Sequence, residues 1–350
     1  MHSIFKYTTG FMRGRAAVAS PQNNKWITGL TAQTLLADAA RRVLSLRLAA
    51  VVSHLALALQ APFDDPEHVH QLRVSTRRTR AALDIFADCL PESVARSARR
   101  YLRDIRRAAG EARDWDVFLD SLPTEVAKRS AWRQPGLDFV TGFAIGQRVT
   151  AQDRLTEASP DYPFAIERVV AETVAAVRKP ASGPGTLGEL GRAQLGDLLK
   201  ELEHAASQDV YDYEHLHQVR ITGKRLRYAM EVFVDCFGPA LRETLYPAIE
   251  EMQDILGAAN DSVVAAQRMQ DLAAKVQAMR AKSWKRFKPA IEYLINHHQK
   301  QLQKKRQEFE DWWAKWQQSR KAAHFLAMLR APQPAPSNRQ SRNSLATPKG

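Results

Sequence analysis

The stretch "HVHQLRVSTRRTRAALDIF", residues 68–86, returns at residues 215–233 as "HLHQVRITGKRLRYAMEVF". His70 and His217 stand 147 positions apart, and so do Arg73 and Arg220, Arg80 and Arg227, Phe86 and Phe233, and Cys89 and Cys236. The same offset then aligns Gly110 with Gly257 and Asp114 with Asp261, without a gap. A spacing held this long implies duplication, with two copies of one supersecondary unit stacked on each other. The two cysteines occupy equivalent places in the copies. They read as small buried residues rather than a redox pair, and they offer neither a disulfide framework nor metal spacing.

What each copy is made of follows from periodicity. Alternating Val/Ile/Thr runs closed by Asn-Gly or Asp-Gly turns are nearly absent, and 3.6-residue apolar patterns fill most of the chain. The expected fold class is therefore all-α. Helices are expected near 31–60, 66–90, 93–109, 111–121, 136–158, 163–178, 187–206, 214–237, 240–256, 259–280 and 284–327, with 93–109 and 111–121 able to run together. "KPASGPG" at 179–185 reads as the internal linker. The resulting organisation is an N-terminal extension at 1–29, a helical domain at 30–330 (repeat one about 30–180, repeat two about 186–330) and a tail at 331–350. That tail has four prolines, three basic residues and no acid, and is expected to be disordered.

Net charge is +13, which favours an anionic partner: nucleic acid, polyphosphate or an acidic membrane surface. No apolar run is read as approaching a membrane span. Arg13 and Arg15 interrupt any signal-peptide core, so a cytoplasmic protein is the default expectation.

The charge has a definite place. On a helical wheel, His70, Arg73, Arg77 and Arg80 form one stripe about 80° wide. Leu72, Leu83, Phe86 and Leu90 flank it on one side, with Val69 at the edge, and Val74, Ala81 and Ile85 on the other. Ser75, Arg78 and Ala82 are left facing away. In the second copy His217, Arg220, Lys224 and Arg227 form the stripe. Leu216, Val219, Leu226, Met230 and Phe233 lie on one side of it, and Ile221, Tyr228 and Val232 on the other. By the same wheel Arg225, like Arg78, faces outward. A solvated charged face normally sits opposite the apolar face; here charge sits between two apolar faces, so packing on both sides should make a groove. Four desolvated like charges need an anion, because an unpaired buried charge costs several kcal/mol or more. Asp84 and Glu231, at the ends of the stripes, supply some neutralisation but cannot balance them. The alternative is a set of internal ion pairs with no ligand.

Asp65 and Asp212 read as N-caps, with Pro66 at the first helical position. His68 and His215 then belong to the cap region. His70 and His217 are placed to donate to a phosphate oxygen and to gain charge as pH falls toward about 6. A metal is not expected: histidines at i and i+2 of a helix point about 200° apart. The next helix adds a second basic stripe, Arg99, Arg103, Arg106 and Arg107, followed by Arg113. The second copy has Glu250, Gln253 and Asp254 where the first has Arg103, Arg106 and Arg107, so a ligand between the copies would be held more by the first. Gly110 and Gly257 mark either close helix approach or a break; Asp114 and Asp261 are either caps or orient stripe arginines. Near the C-terminus, "QKQLQKKRQ" with Trp312, Trp313 and Trp316 reads as a solvated basic face with a packed aromatic end.

The two H-x-x-R-[VI]-x-x-[RK]-R-x-R stretches, His70 to Arg80 and His217 to Arg227, are each followed by G-x-x-[RN]-D, at Gly110 to Asp114 and Gly257 to Asp261. Together they resemble the signature of the CHAD family, the conserved histidine α-helical domain, over roughly residues 30–327. The resemblance implies two pseudo-two-fold-related four-helix units with a basic central cleft. It also implies binding of inorganic polyphosphate there and association with polyphosphate granules. The residues expected at the ligand are His70, Arg73, Arg77, Arg80, Arg103, Arg106, Arg107, Arg113, His217, Arg220, Lys224 and Arg227. Many relatives carry an N-terminal triphosphatase domain of the CYTH type. This chain has no E-x-E-x-K strand motif, so catalysis of that kind is not implied, and no cofactor is expected.

Arginine's forked donors suit phosphate oxygens and account for its excess over lysine in the stripes. A nucleic-acid-binding protein would share the charge, but should show an exposed basic helix or stacking aromatics beside it. Only Tyr228 adjoins the stripe, so nucleic acid is the weaker reading. An enzyme acting on phosphate chains would need a carboxylate cluster for metal or a nucleophile; Asp84 and Glu231 are candidates without such a cluster.

Overall fold

The apolar spacing does produce helices throughout. The computed structural model describes residues 25–122, 133–209, 211–279 and 281–331. It contains α1 (Leu36–Gln60), α2 (Glu67–Ile85), α3 (Glu92–Asp120), α4 (Gln134–Glu157) and α5 (Phe164–Ala175), then α6 (Leu187–Ala206), α7 (Tyr213–Val232), α8 (Tyr246–Met279), α9 (Ala281–Gln318) and α10 (Lys321–Arg330). Among the described residues there is no strand, only an isolated bridge between Leu35 and Thr186. The fold is all-α. The expected tail lies outside the described residues beyond Ala331, as do residues 1–24 of the expected N-terminal extension.

One expected break is absent, and one pair of segments that could run together does so. The segments expected at 93–109 and 111–121 form one helix, α3, ending at Asp120, and those expected at 240–256 and 259–280 form α8, entered through a π-helical turn at Leu241–Leu245. Gly110 and Gly257 sit inside these helices, where a glycine costs only about 1 kcal/mol relative to alanine and packing on both sides outweighs it. Conversely, the helix expected at 284–327 breaks: Arg320 adopts a left-handed conformation (φ 47°), separating α9 from α10.

The expectation that no apolar run reaches membrane length is also corrected. By length and composition α1 is apolar enough to cross a membrane. Its position in the fold shows why. Ala39, Ala40, Val43, Leu44, Leu48, Val51, Leu55 and Ala58 are fully buried, and the one charge in the middle of the helix, Arg47, is buried against Glu231. The face that carries these residues is packed in the core, while Leu46 and Ala49 on another face are exposed.

The caps behave as expected. Asp65 Oδ1 accepts from the Glu67 amide and Asp212 Oδ1 from the Glu214 amide, both at 2.8 Å, at the same offset as the sequence repeat. The offset recurs at the far ends, where the amides of Phe86 and Phe233 donate to Ala82 and Ala229, and those of Cys89 and Cys236 to Phe86 and Phe233. Both cysteines are fully buried, and burial pushes the Cys236 thiol up to about 12. Thr186 and Glu189 close a capping box that starts α6 after the linker. Trp312 and Trp316 are buried and stacked on each other, with Trp312 Nε1 donating to the Ala248 carbonyl at 3.1 Å.

Candidate functional site

The repeated helices α2 and α7 pack against each other, and this brings the two stripes together. Arg73 and Arg77 of α2 lie close enough to Arg220 and Lys224 of α7 for their charges to act on one another. All four are half-buried. Burial, with Arg73 beside it, brings Arg77 down to about 10. Lys224 falls to about 5: burial is the main cause, and Arg77, Arg220, Arg73 and Arg227 crowd its ammonium. Arg220 is lowered by burial against the opposing pull of Asp261.

Several donors of this cluster are buried without a hydrogen-bond partner: Nε of Arg106, Arg220 and Arg227, and Nδ1 of His217. Orphaned buried donors are rare in folded proteins. Two of the carboxylates in reach are already engaged. Asp114 pairs with Arg73 and lies 3.9 Å from Arg268, while Glu250 lies 3.6 Å from Arg227 and 3.3 Å from Lys25. Asp114 is therefore not a cap but orients a stripe arginine, and the Gly110 carbonyl accepts from the same Arg73 guanidinium at 3.0 Å.

The remaining expected residues spread outward. Arg106 reaches the cluster, lowered by burial and by Arg80, Arg73 and Arg103. Arg113 is half-buried beside His70. Arg80 and Arg103 are exposed, each near a carboxylate, Asp84 at 4.0 Å and Asp104 at 3.2 Å; Arg107 is exposed at the edge of the α3 stripe. His68 and His215 turn away to the carbonyls of Ala61 and Asp209, as cap-region residues should. His70 departs from expectation: burial lowers it, so in the free protein it gains charge only below the ordinary histidine range.

The outward assignment of Arg78 is wrong. Its side chain is buried and forks onto the fully buried Glu231, with Nε 2.7 Å from Oε2 and Nη2 3.0 Å from Oε1. Arg47 of α1 approaches the same carboxylate at 3.3 Å, and the Tyr246 hydroxyl donates to it at 2.9 Å. Ser75 and Ala82, also expected outward, are buried with it. The cause is a third neighbour: α1 packs along the face that a wheel reads as polar, and the Thr79 hydroxyl donates to the Arg47 carbonyl. Arg225, the copy of Arg78, is exposed as expected and pairs with Glu201. Ile221, expected in a flanking apolar face, is 38% exposed.

Sequence reasoning missed Arg268, whose Nη1 donates to the Asp114 carbonyl at 2.8 Å and whose guanidinium lies 4.1 Å from the Trp115 ring centroid. The signal was present: Arg268 lies two turns after Asp261 on one helix face. Nothing local in the sequence marked Glu231 as the hub for Arg78 and Arg47, since both contacts join distant elements.

Comparison with known proteins gives the family and the fold. The family model described as CHAD domain matches residues 42–270. The crystal structure of the CHAD domain from the plant Ricinus communis is similar at 24% identity and a TM-score of 0.63, over 87% of this chain and 95% of that one. PptA from Streptomyces chartreusis is similar at 18% identity and a TM-score of 0.57, over 80% of this chain and all of that one. At these identities the two structures establish a shared fold. No curated protein sequence matches the chain.

Proposed function

The chain belongs to the CHAD domain family, and from that premise we propose that it binds inorganic polyphosphate along the paired stripes of α2 and α7, in a basic cleft extended by the arginines of α3. One observation carries the reading: like charges from both copies are crowded and half-buried, with donors of Arg106, Arg220, Arg227 and His217 left unpaired. A linear polyanion supplies the missing acceptors at regular spacing, and arginine forks match its oxygens. His70, Arg73, Arg77, Arg80, Arg103, Arg106, Arg107, Arg113, His217, Arg220, Lys224 and Arg227 are the proposed ligand contacts. Binding rather than turnover fits the carboxylates, because Asp84 is held by Arg99 and Glu231 by Arg78 and Arg47, which leaves neither available to a catalytic metal. On this reading the protein would collect at polyphosphate granules in the cytoplasm.

The test is a competition titration of polyphosphate of defined length against duplex and single-stranded DNA over a range of salt. Polyphosphate should win at every salt concentration, with affinity falling steeply as salt rises, by analogy with counterion release from nucleic acids. DNA binding as tightly as polyphosphate of equal charge would overturn the proposal.

A further inference from the structure

At one end of the cluster, α3, α8 and α9 enclose a cavity of about 330 Å³, a volume within the range of small-molecule sites. Its walls differ from the stripes. Val117 and Phe118 of α3 and Ala258, Val264 and Ala265 of α8 give it apolar walls, and Asp114, Asp261, Arg268 and Lys305 add two charges of each sign. His298 of α9 also lines it; it is 4% exposed, and its Nε2 is buried with no hydrogen-bond partner. Burial, with His297 alongside, takes His298 down to about 4, so its ring is neutral near pH 7 and can accept or donate a single hydrogen bond.

The cavity is joined to the basic cluster through Asp114, which pairs with Arg73 on the stripe side and approaches Arg268 on the cavity side. A bare phosphate chain gains nothing from the apolar walls, and the two carboxylates offset the cations Arg268 and Lys305 that also line the cavity. A planar heteroaromatic ring with a sugar behaves oppositely: it buries well against Phe118 and the aliphatic side chains. Its amino and hydroxyl groups can donate to the carboxylates, and its ring nitrogens can meet His298 Nε2. We infer that this cavity is a subsite for the nucleoside end of a nucleoside polyphosphate, whose phosphate tail passes Arg268 and Arg73 onto the stripe. The inference rests on the reading of the stripes as a phosphate site.

The experiment compares a purine nucleoside triphosphate with inorganic tripolyphosphate, which presents phosphates without the nucleoside, by calorimetry on the full chain. The nucleoside triphosphate should bind at least tenfold more tightly. Val264→Trp, at a half-buried wall position, should fill the cavity and remove that advantage while tripolyphosphate and long polyphosphate bind as before. His298→Phe, which keeps the ring and removes the nitrogen, should reduce the advantage several-fold. Retained tripolyphosphate binding shows in each case that the variant is folded. Equal wild-type affinities, or an advantage untouched by both substitutions, would overturn the subsite and leave polyphosphate binding standing. Failure of the wild type to bind any of the inorganic chains would instead remove the stripe reading itself.

Discussion

The two copies keep their stripes alike and differ in what surrounds them. Asp84 of the first copy is exposed and shared by Arg99 and Arg80; its counterpart Glu231 is fully buried and holds Arg78, Arg47 and the Tyr246 hydroxyl. Arg78 is buried while its counterpart Arg225 lies on the surface beside Glu201. On the following helix, Arg106 joins the cation cluster, whereas Gln253 in its place is buried and donates to the Arg220 carbonyl at 3.2 Å. Thr76 of α2 becomes Gly223 in α7, where a Cβ would collide with Met252 and Gln253 of α8. The second copy carries the buried carboxylate that fixes the pair of helices, and the first carries more of the outward charge. Positions that are equivalent in sequence therefore have unequal energetic roles.

The largest expected contrast lies at the acidic pair. Glu231→Gln removes the charge that two buried arginines depend on, and breaking a buried pair in this way costs about 3–5 kcal/mol. Asp84→Asn, at the equivalent but exposed position, should cost no more than about 1 kcal/mol. Urea unfolding of the two variants measures the difference, and similar losses would mean that the copies are energetically alike.

This contrast also marks how far the sequence reaches. The repeat, the all-α class, the caps at Asp65 and Asp212 and the stripe residues that α2 and α7 bring together were all legible, because each depends on spacing within one helix or on a fixed offset between two. Arg78 was not. A wheel assigns inside and outside from side-chain polarity, and an arginine whose partner lies 153 residues away on another helix reads as solvated. Arg268 and the cavity beside it were hidden for the same reason, since they arise where three separate helices meet. The apolar run of α1 was missed as well: it meets the length and composition of a membrane span, while one side of the helix packs in the core and Leu46 and Ala49 are exposed.

The next contrast concerns pH. Lys224 titrates near 5 in the folded protein and near 10.5 when unperturbed. The unfolded chain therefore binds more protons between these values, so the free protein should gain stability as pH rises through that window. Bound phosphate restores the charge, so binding takes up a proton and polyphosphate affinity should rise as pH falls from about 8 toward 6. Depressed His70 adds to this in the same direction. Lys224→Met should stabilise the free protein, weaken polyphosphate binding and flatten both pH profiles. Its copy in α2, Arg77, keeps its charge throughout this range, so Arg77→Met should weaken binding and keep a proton-linked profile, moved to higher pH because a charge beside Lys224 is gone. Affinity that is constant with pH in the wild type would contradict a crowded, proton-linked site.

A smaller effect tests the asymmetry of the third helix. Arg106→Gln gives the first copy the residue of the second and should weaken binding several-fold with little change in thermal stability, since Arg106 forms no ion pair among the described residues. Superposition of 69–120 on 216–267 would sharpen the comparison further; an approximate two-fold axis is the expected relation.

The central claim is that stripes from both copies act on one anion. Calorimetric titration of one polyphosphate of defined length into Arg73→Ala, Arg220→Ala and Arg225→Ala tests it most directly. Charged hydrogen bonds to phosphate are worth roughly 1.5–3 kcal/mol each, so the first two variants, one in each copy, should each lose about tenfold or more in affinity. Arg225→Ala removes an exposed arginine of the same helix and should bind as the wild type does. Equal losses in all three variants would contradict the account and leave only a generally basic surface.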